Sequence, residues 1–153
     1  MKQTISARSP IAIFADLPTL CAAPRAMIAA GFGDKLGKFT ALADWRLGHL
    51  VGDEPYDERI AQGTRNAVQG CVNRVEEIGI AWEDGVRGLM EGLIELRFCM
   101  METGCSRPAA GTEHYLSHFR ETKLLRENRP AILHGAKVGV ACIMVAQCYE
   151  RVK

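Results

Sequence analysis

The chain has 153 residues, the length of one domain. Nineteen Lys and Arg against 18 Asp and Glu leave a formal charge of +1, so composition supplies no basic face for nucleic acid or for an anionic membrane surface. With 48% hydrophobic residues but only 7% aromatics, the chain is not disordered, and its core must be built from aliphatics, Ala, Met and Cys, which suits closely packed helices.

Along the chain, Ile11 to Phe14 is a short apolar run after Pro10 and reads as a lone strand. One strand makes no sheet, so it pairs outside this chain or is an extended lead-in. Everything after Asp16 reads as helix. Asp16 can cap a first helix with Pro18 in its first turn. Pro24 opens a second short segment to Ala30, and Gly31 and Gly33 bracket a turn. A helix follows from about Asp34, with Leu36, Phe39, Ala43, Leu47 and Leu50 on one side and Lys35 and Lys38 elsewhere. Gly52 to Pro55 is a loop. The next helix carries Val68, Cys71, Val72, Val75 and Ile78 at the spacing of a buried stripe. Another carries Val86, Leu89, Met90, Leu93 and Met100 and ends at Gly104. Glu113 to Leu125 is helical, Arg126 to Pro130 breaks it, and His134 opens a last helix. The middle of that helix is apolar nearly all round and is expected to be deeply buried.

The longest apolar run, Val138 to Ala146, is nine residues, against the roughly 20 that span a bilayer. Ser9 to Leu20 is interrupted by Asp16 and two prolines and makes a poor signal-peptide core. The six cysteines, at 21, 71, 99, 105, 142 and 148, form no CxxC pair and several fall in helical apolar patterns, so a reducing cytoplasm is the expected setting. There is no GxGxxG after a strand and no GxxxxGK[ST], hence no Gly-rich cradle for a pyrophosphate.

Three of four histidines fall in one stretch. His114 and His118 share a helix face, and His134 starts the next helix after a loop long enough to fold it back. A divalent ion with open positions needs about three protein ligands. Glu113 points about 100° away from His114 and is a poor chelate partner. Asp34, in a Gly-Phe-Gly-Asp turn, is the better carboxylate. On pattern alone, Asp34 is either a ligand or a helix N-cap, and an HxxxH pair is either a site or ordinary surface and core. Arg107 is a phosphate contact or a loop arginine, and Lys137 faces a cleft or solvent. His49, four residues after Trp45, reads as its packing partner.

The segments Ala22-Ala-Pro-Arg-Ala-Met-Ile-Ala-Ala-Gly-Phe-Gly-Asp34-Lys-Leu-Gly-Lys38, Ser106-Arg-Pro-Ala-Ala-Gly-Thr-Glu-His114-Tyr-Leu-Ser-His118-Phe119 and Leu133-His134-Gly-Ala-Lys-Val-Gly139 resemble the sn-glycerol-1-phosphate dehydrogenases, in the iron-type alcohol dehydrogenase, glycerol dehydrogenase and dehydroquinate synthase superfamily. The likeness runs from Ile11 to Lys153, and the bacterial branch is nearest. It implies a mainly α, metal-binding helical domain with one short N-terminal strand left from an α/β domain. Residues 1–15 would end that nucleotide-binding domain, and residues 16–153 would form a partial helical catalytic domain without the family's C-terminal helices.

The resemblance also implies one divalent ion, zinc or nickel ahead of iron, on Asp34, His114 and His134, with His118 beside the substrate moving protons. The implied reaction is NAD(P)H-dependent reduction of dihydroxyacetone phosphate to sn-glycerol 1-phosphate, in glycerophospholipid metabolism. No NAD(P)H site is expected in this chain, which alone would be inactive. The expected partners are the triose phosphate and a homo-oligomer or a separate nucleotide-binding domain, with neither nucleic acid nor membrane. The competing readings are a non-catalytic metal-binding helical fragment and a glycerol dehydrogenase-like sister activity. Two positions depart from the family pattern, Ala110 where Ser is expected and Cys105 where Asn is expected, both in the loop before His114.

Overall fold

Asp16 starts the first helix as the sequence predicts. Its carboxylate accepts the Thr19 N–H at 3.1 Å, and α1 runs Leu17–Cys21. A computed structural model describes residues 10–151, and the described residues are helical throughout apart from their connections. The other elements are α2 (Arg25–Leu36), α3 (Lys38–Gly52), α4 (Glu58–Val72), α5 (Val75–Gly79), α6 (Glu83–Thr103), α7 (Thr112–Arg126) and α8 (His134–Glu150). No helix among the described residues is long and apolar enough to cross a membrane. All six cysteines are unbridged.

Helix α2 is the hub. It lies along α8 over its most extensive contact, while α7 packs on α8, α4 on α6, and α3 bridges toward α4 and α7. One apolar cluster gathers Ile28, Cys71, Ile78, Val86 and Leu89, drawn from α2, α4, α5 and α6. A second gathers Leu42, Trp45, Ile60 and Ala61 between α3 and α4, with Tyr56 against it. Burial of side chains this size contributes roughly 1.5–3 kcal/mol each. The first cluster packs α2 on α4, α5 and α6, and the second packs α3 on α4.

Several expectations change. Ile11 to Phe14 forms no strand, because the described residues offer no second strand to pair with, and the run is an irregular lead-in. Residues 1–9 of the expected 1–15 segment lie outside the described residues. Gly31 and Gly33 do not bracket a turn. They lie inside α2, and the chain bends at Gly37 instead. The physical reason is the closeness of α8. A Cβ on Gly33 would stand 2.5 Å from the Gly135 carbonyl oxygen and 3.5 Å from the Gly139 Cα, so both helices use glycine where their backbones cross.

The stripe Phe39, Ala43, Leu47 and Leu50 faces solvent, and α3 buries Lys38, Thr40, Ala41, Leu42 and Trp45 instead. The expected stripe from Val68 to Ile78 is divided between α4 and α5, and Val75 is exposed. Helix α8 is buried on one face only. Val138, Ala141, Cys142 and Val145 point inward, while Val140, Ile143 and Met144 are exposed. The C-terminal cap of α6 is as expected, with Gly104 at φ 66°.

Three lysines are buried, Lys35, Lys38 and Lys137. Lys35 reaches from α2 to the Gly92 carbonyl of α6 at 2.6 Å. Burial lowers the Lys35 pKa from its ordinary value, with nearby Cys71 and Glu95 opposing the shift.

The α2–α8 crossing gives a test by substitution. Gly33→Ala is expected to destabilise the fold by about 1–3 kcal/mol, the usual cost of overpacking. Gly63→Ala, in α4 with no atom within 4 Å of the added methyl, is expected to stabilise it by up to about 1 kcal/mol. Urea unfolding of both variants checks this, and a neutral Gly33→Ala would contradict the crossing.

Candidate metal centre

Asp34 sits in the last turn of α2, His114 in the first turn of α7, and His134 is the first residue of α8. The site is therefore where one helix ends and two begin. Each position has a local cause. Because α2 continues to Leu36, Asp34 projects from a helix and does not cap one. Beyond the Gly37 bend, Lys38 donates to Asp34 Oδ2 at 3.1 Å. That contact leaves Oδ1 toward the imidazoles.

The start of α7 is fixed from outside. Asp44 of α3 accepts the Thr112 N–H on Oδ2 at 2.6 Å and the Tyr149 hydroxyl of α8 on Oδ1, so a carboxylate remote in sequence caps α7. Gly111 is required beside it. A Cβ there would stand 2.8 Å from the Ala41 Cα. His114 is then oriented by Glu113, whose Oε1 accepts from Nδ1 at 2.8 Å. A carboxylate only accepts, so Nδ1 carries the proton.

His114 Nε2 lies 3.6 Å and His134 Nε2 3.7 Å from the same Asp34 Oδ1. Both separations exceed an N–H···O hydrogen bond, which ends near roughly 3.2 Å. Two donors bound at about 2.0–2.1 Å to a tetrahedral ion lie roughly 3.3–3.4 Å apart. The three donor atoms all fall within 4.8 Å of one another. One carboxylate oxygen and two imidazole nitrogens at this spacing suit a divalent cation of the zinc or nickel type. The C-terminal end of α2 favours a cation at this point, while the N-terminal ends of α7 and α8 oppose one, so the carboxylates of Asp34 and Glu113 must supply the balance.

The structure brings together all four residues predicted from sequence. The His118 ring stacks on that of His134 at 5.6 Å between centroids and lies 6.3 Å from that of His114. His118 Nδ1 is 3.7 Å from Glu121 Oε2, and His118, Glu121 and His134 form a second group of clustered donor atoms. Lys137 is buried with its Nζ 3.5 Å from Glu121, which places it on this side of the bundle. Arg107 is engaged by Glu54 at 2.5 Å. His49 stacks on Tyr56, not on Trp45. The sequence reading missed Glu121, Asp44, Thr40 and the orienting role of Glu113. Glu121 was accessible, since it follows His118 at i+3 and His114 at i+7 on the same face of α7.

Burial pushes the Asp34 carboxyl up, but His114 and the Lys38 ammonium outweigh it and bring it down to about 2. Burial also pulls the His114 imidazole down, and the carboxylates of Asp34 and Glu113 outweigh that and raise it above its ordinary value.

The fold and this cluster define a class: an all-helical unit with a candidate divalent-metal centre at the junction of α2, α7 and α8. No family model matches the chain. It is 45% identical over 99% of its length to the glycerol-1-phosphate dehydrogenase [NAD(P)+] of Geobacillus thermodenitrificans, covering 38% of that protein. The enzyme of the same name from Bacillus subtilis is also 45% identical over 98% of the chain, again with 38% of the relative covered. The archaeal one from Aeropyrum pernix is 39% identical over 95% of the chain and 40% of the relative. The chain is thus homologous to a segment of the glycerol-1-phosphate dehydrogenases, and it spans about two fifths of the length of the curated relatives it matches.

Asp34 gives a pH test on the metal-free chain. Its folded pKa of about 2 lies below the ordinary aspartate value of 3.8, so its stabilisation is complete above about pH 4 and is lost as the pH falls toward 2. The amount is about 2 kcal/mol. Lys38→Met is expected to raise the Asp34 pKa, observed through the carboxyl 13C shift, and to shrink that acid loss.

Proposed function

We propose that this chain is the metal-binding helical part of an NAD(P)-dependent glycerol-1-phosphate dehydrogenase. Asp34, His114 and His134 hold one divalent ion, zinc or nickel. The observation that carries this is Asp34 Oδ1 facing two imidazole Nε2 atoms at 3.6 and 3.7 Å. When bound, the ion supplies Lewis-acid polarisation of the ketone of dihydroxyacetone phosphate.

The chain's own groups do the rest. Lys38 and Glu113 hold Asp34 and His114 in place. His118, stacked on His134, delivers a proton to the substrate oxygen as hydride from the nicotinamide adds to the carbonyl carbon, giving sn-glycerol 1-phosphate. The nicotinamide is held by a nucleotide-binding domain that residues 1–15 lead from, with residues 16–153 as the helical side of the cleft. The names of the relatives support this reading of substrate and cofactor. Six unbridged cysteines accord with a cytoplasmic setting.

Metal content by mass spectrometry tests the ligands. One divalent ion per chain is expected, and Asp34→Ala, His114→Ala and His134→Ala each lose it. His118→Ala retains it, with affinity reduced at most by about 10–100-fold, the scale of an orienting group. Equal loss in all four variants would make His118 a ligand.

Catalysis has its own test. The 153 residues alone are expected to show no NAD(P)H oxidation with dihydroxyacetone phosphate. Holding cofactor and substrate in reacting geometry accounts for roughly 7–11 kcal/mol of a barrier. Adding a separately produced nucleotide-binding segment of a close relative should restore some turnover. Activity of the chain by itself, abolished by His134→Ala, would overturn this division of labour.

A further inference from the structure

Glu113 is fully buried, one residue from a candidate ligand, and its carboxylate is held on three sides. Oε1 accepts the Gly111 N–H at 2.9 Å and the His114 Nδ1–H at 2.8 Å, and the Thr40 hydroxyl donates to Oε2 at 2.8 Å. Burying a carboxylate is costly unless its oxygens are hydrogen-bonded, and these are. The arrangement joins three elements. Thr40 belongs to α3, Gly111 precedes α7, and His114 lies in its first turn.

The consequence falls on the other ring nitrogen. With Nδ1 committed as a donor, neutral His114 presents a lone pair at Nε2, and this atom faces Asp34 Oδ1 at 3.6 Å. Two acceptors facing each other across that gap repel, and a cation between them, a divalent ion or the proton of an imidazolium, relieves this. The chain spends a buried carboxylate, a hydroxyl and a backbone N–H to produce that opposition.

We propose that Glu113 is the positioning residue that fixes the tautomer and ring orientation of His114, with Thr40 and the Gly111 N–H holding its carboxylate. This rests on the reading of His114 as a metal ligand. It adds a chain of contacts running from α3 through Thr40 and Glu113 to the face of His114 that binds the ion. A hydrogen-bonded carboxylate behind a ligating imidazole also raises its basicity, and losing such a partner typically costs about 10–100-fold in metal affinity.

The test uses zinc alone, competed against a chromophoric chelator, together with proton–nitrogen correlation spectra of the histidine rings in the metal-free chain at a pH where they are neutral. In the parent chain His114 is expected to show the Nδ1–H signature. Glu113→Leu is expected to lose that signature and to bind zinc about 10–100-fold more weakly. Glu113→Gln, which keeps an acceptor at the same place, is expected to restore the signature and part of the affinity. Zinc affinity within twofold of the parent in both variants would overturn the proposal. So would weakened binding in Glu113→Leu with the Nδ1–H signature intact, since general structural damage would do that. If Glu113→Leu does not fold, Glu113→Gln decides alone: a severalfold loss of zinc affinity supports the proposal, and unchanged affinity overturns it. His114→Ala binding zinc as tightly as the parent would instead remove the ligand reading on which the proposal rests.

Discussion

The structure depends on the crossing of α2 and α8 at backbone contact. Gly33 on one helix meets Gly135 and Gly139 on the other, with no side chain between them. The placing of Asp34 against His134 follows from that approach. It carries Asp34, one residue after Gly33, to within 3.7 Å of His134, one residue before Gly135. A methyl group at the crossing would push these two apart by its own thickness, and a ligand separation tolerates little of that. The cluster of Ile28 and Leu89 anchors α2 to α6, and that of Leu42 and Trp45 anchors α3 to α4.

Helix α7 is placed by polar groups rather than by apolar burial, since its buried residues are Glu113 and Ser117. Asp44 holds both the first N–H of α7 and the hydroxyl of Tyr149 near the end of α8. Burial, and after it the hydrogen bond to Asp44, push the Tyr149 pKa up to about 12. The polar network thus links α3, α7 and α8. Directional bonds suit this task better than a greasy contact, because they fix the rotation of α7 about its axis and with it the heading of His114.

Much of this was legible in the chain. The caps at Asp16 and Gly104, the start of α8 at His134 and the grouping of Asp34, His114, His118 and His134 follow from local chemistry and helical spacing. The errors have one common source. Gly31 and Gly33 read as turn residues because glycine is a poor helix former, yet Gly33 answers a neighbouring backbone that no local pattern reveals. The same blindness put Leu47 and Leu50 inside and Lys35 and Lys38 outside. Lys35 can be buried only because Gly92 of α6 leaves room and offers a carbonyl, and that partner lies on another helix. Asp44 as the cap of α7 was out of reach for the same reason, while Glu121 followed from spacing that had already been used for His118.

The placement of the donors across the bundle has a consequence for the unfolded chain. Asp34, His114 and His134 come from helices widely separated in sequence, and the segment that intervenes between the first two includes α3, α4, α5 and α6. An ion gripping all three donors closes one long loop and one shorter one, as a covalent staple would, and it does so only once α2, α7 and α8 have met. Such a closure removes configurational freedom that the ion-free chain keeps, so the free energy of binding becomes in part free energy of folding. The junction of α2, α7 and α8 is then also the clasp that draws the two ends of the helical segment together.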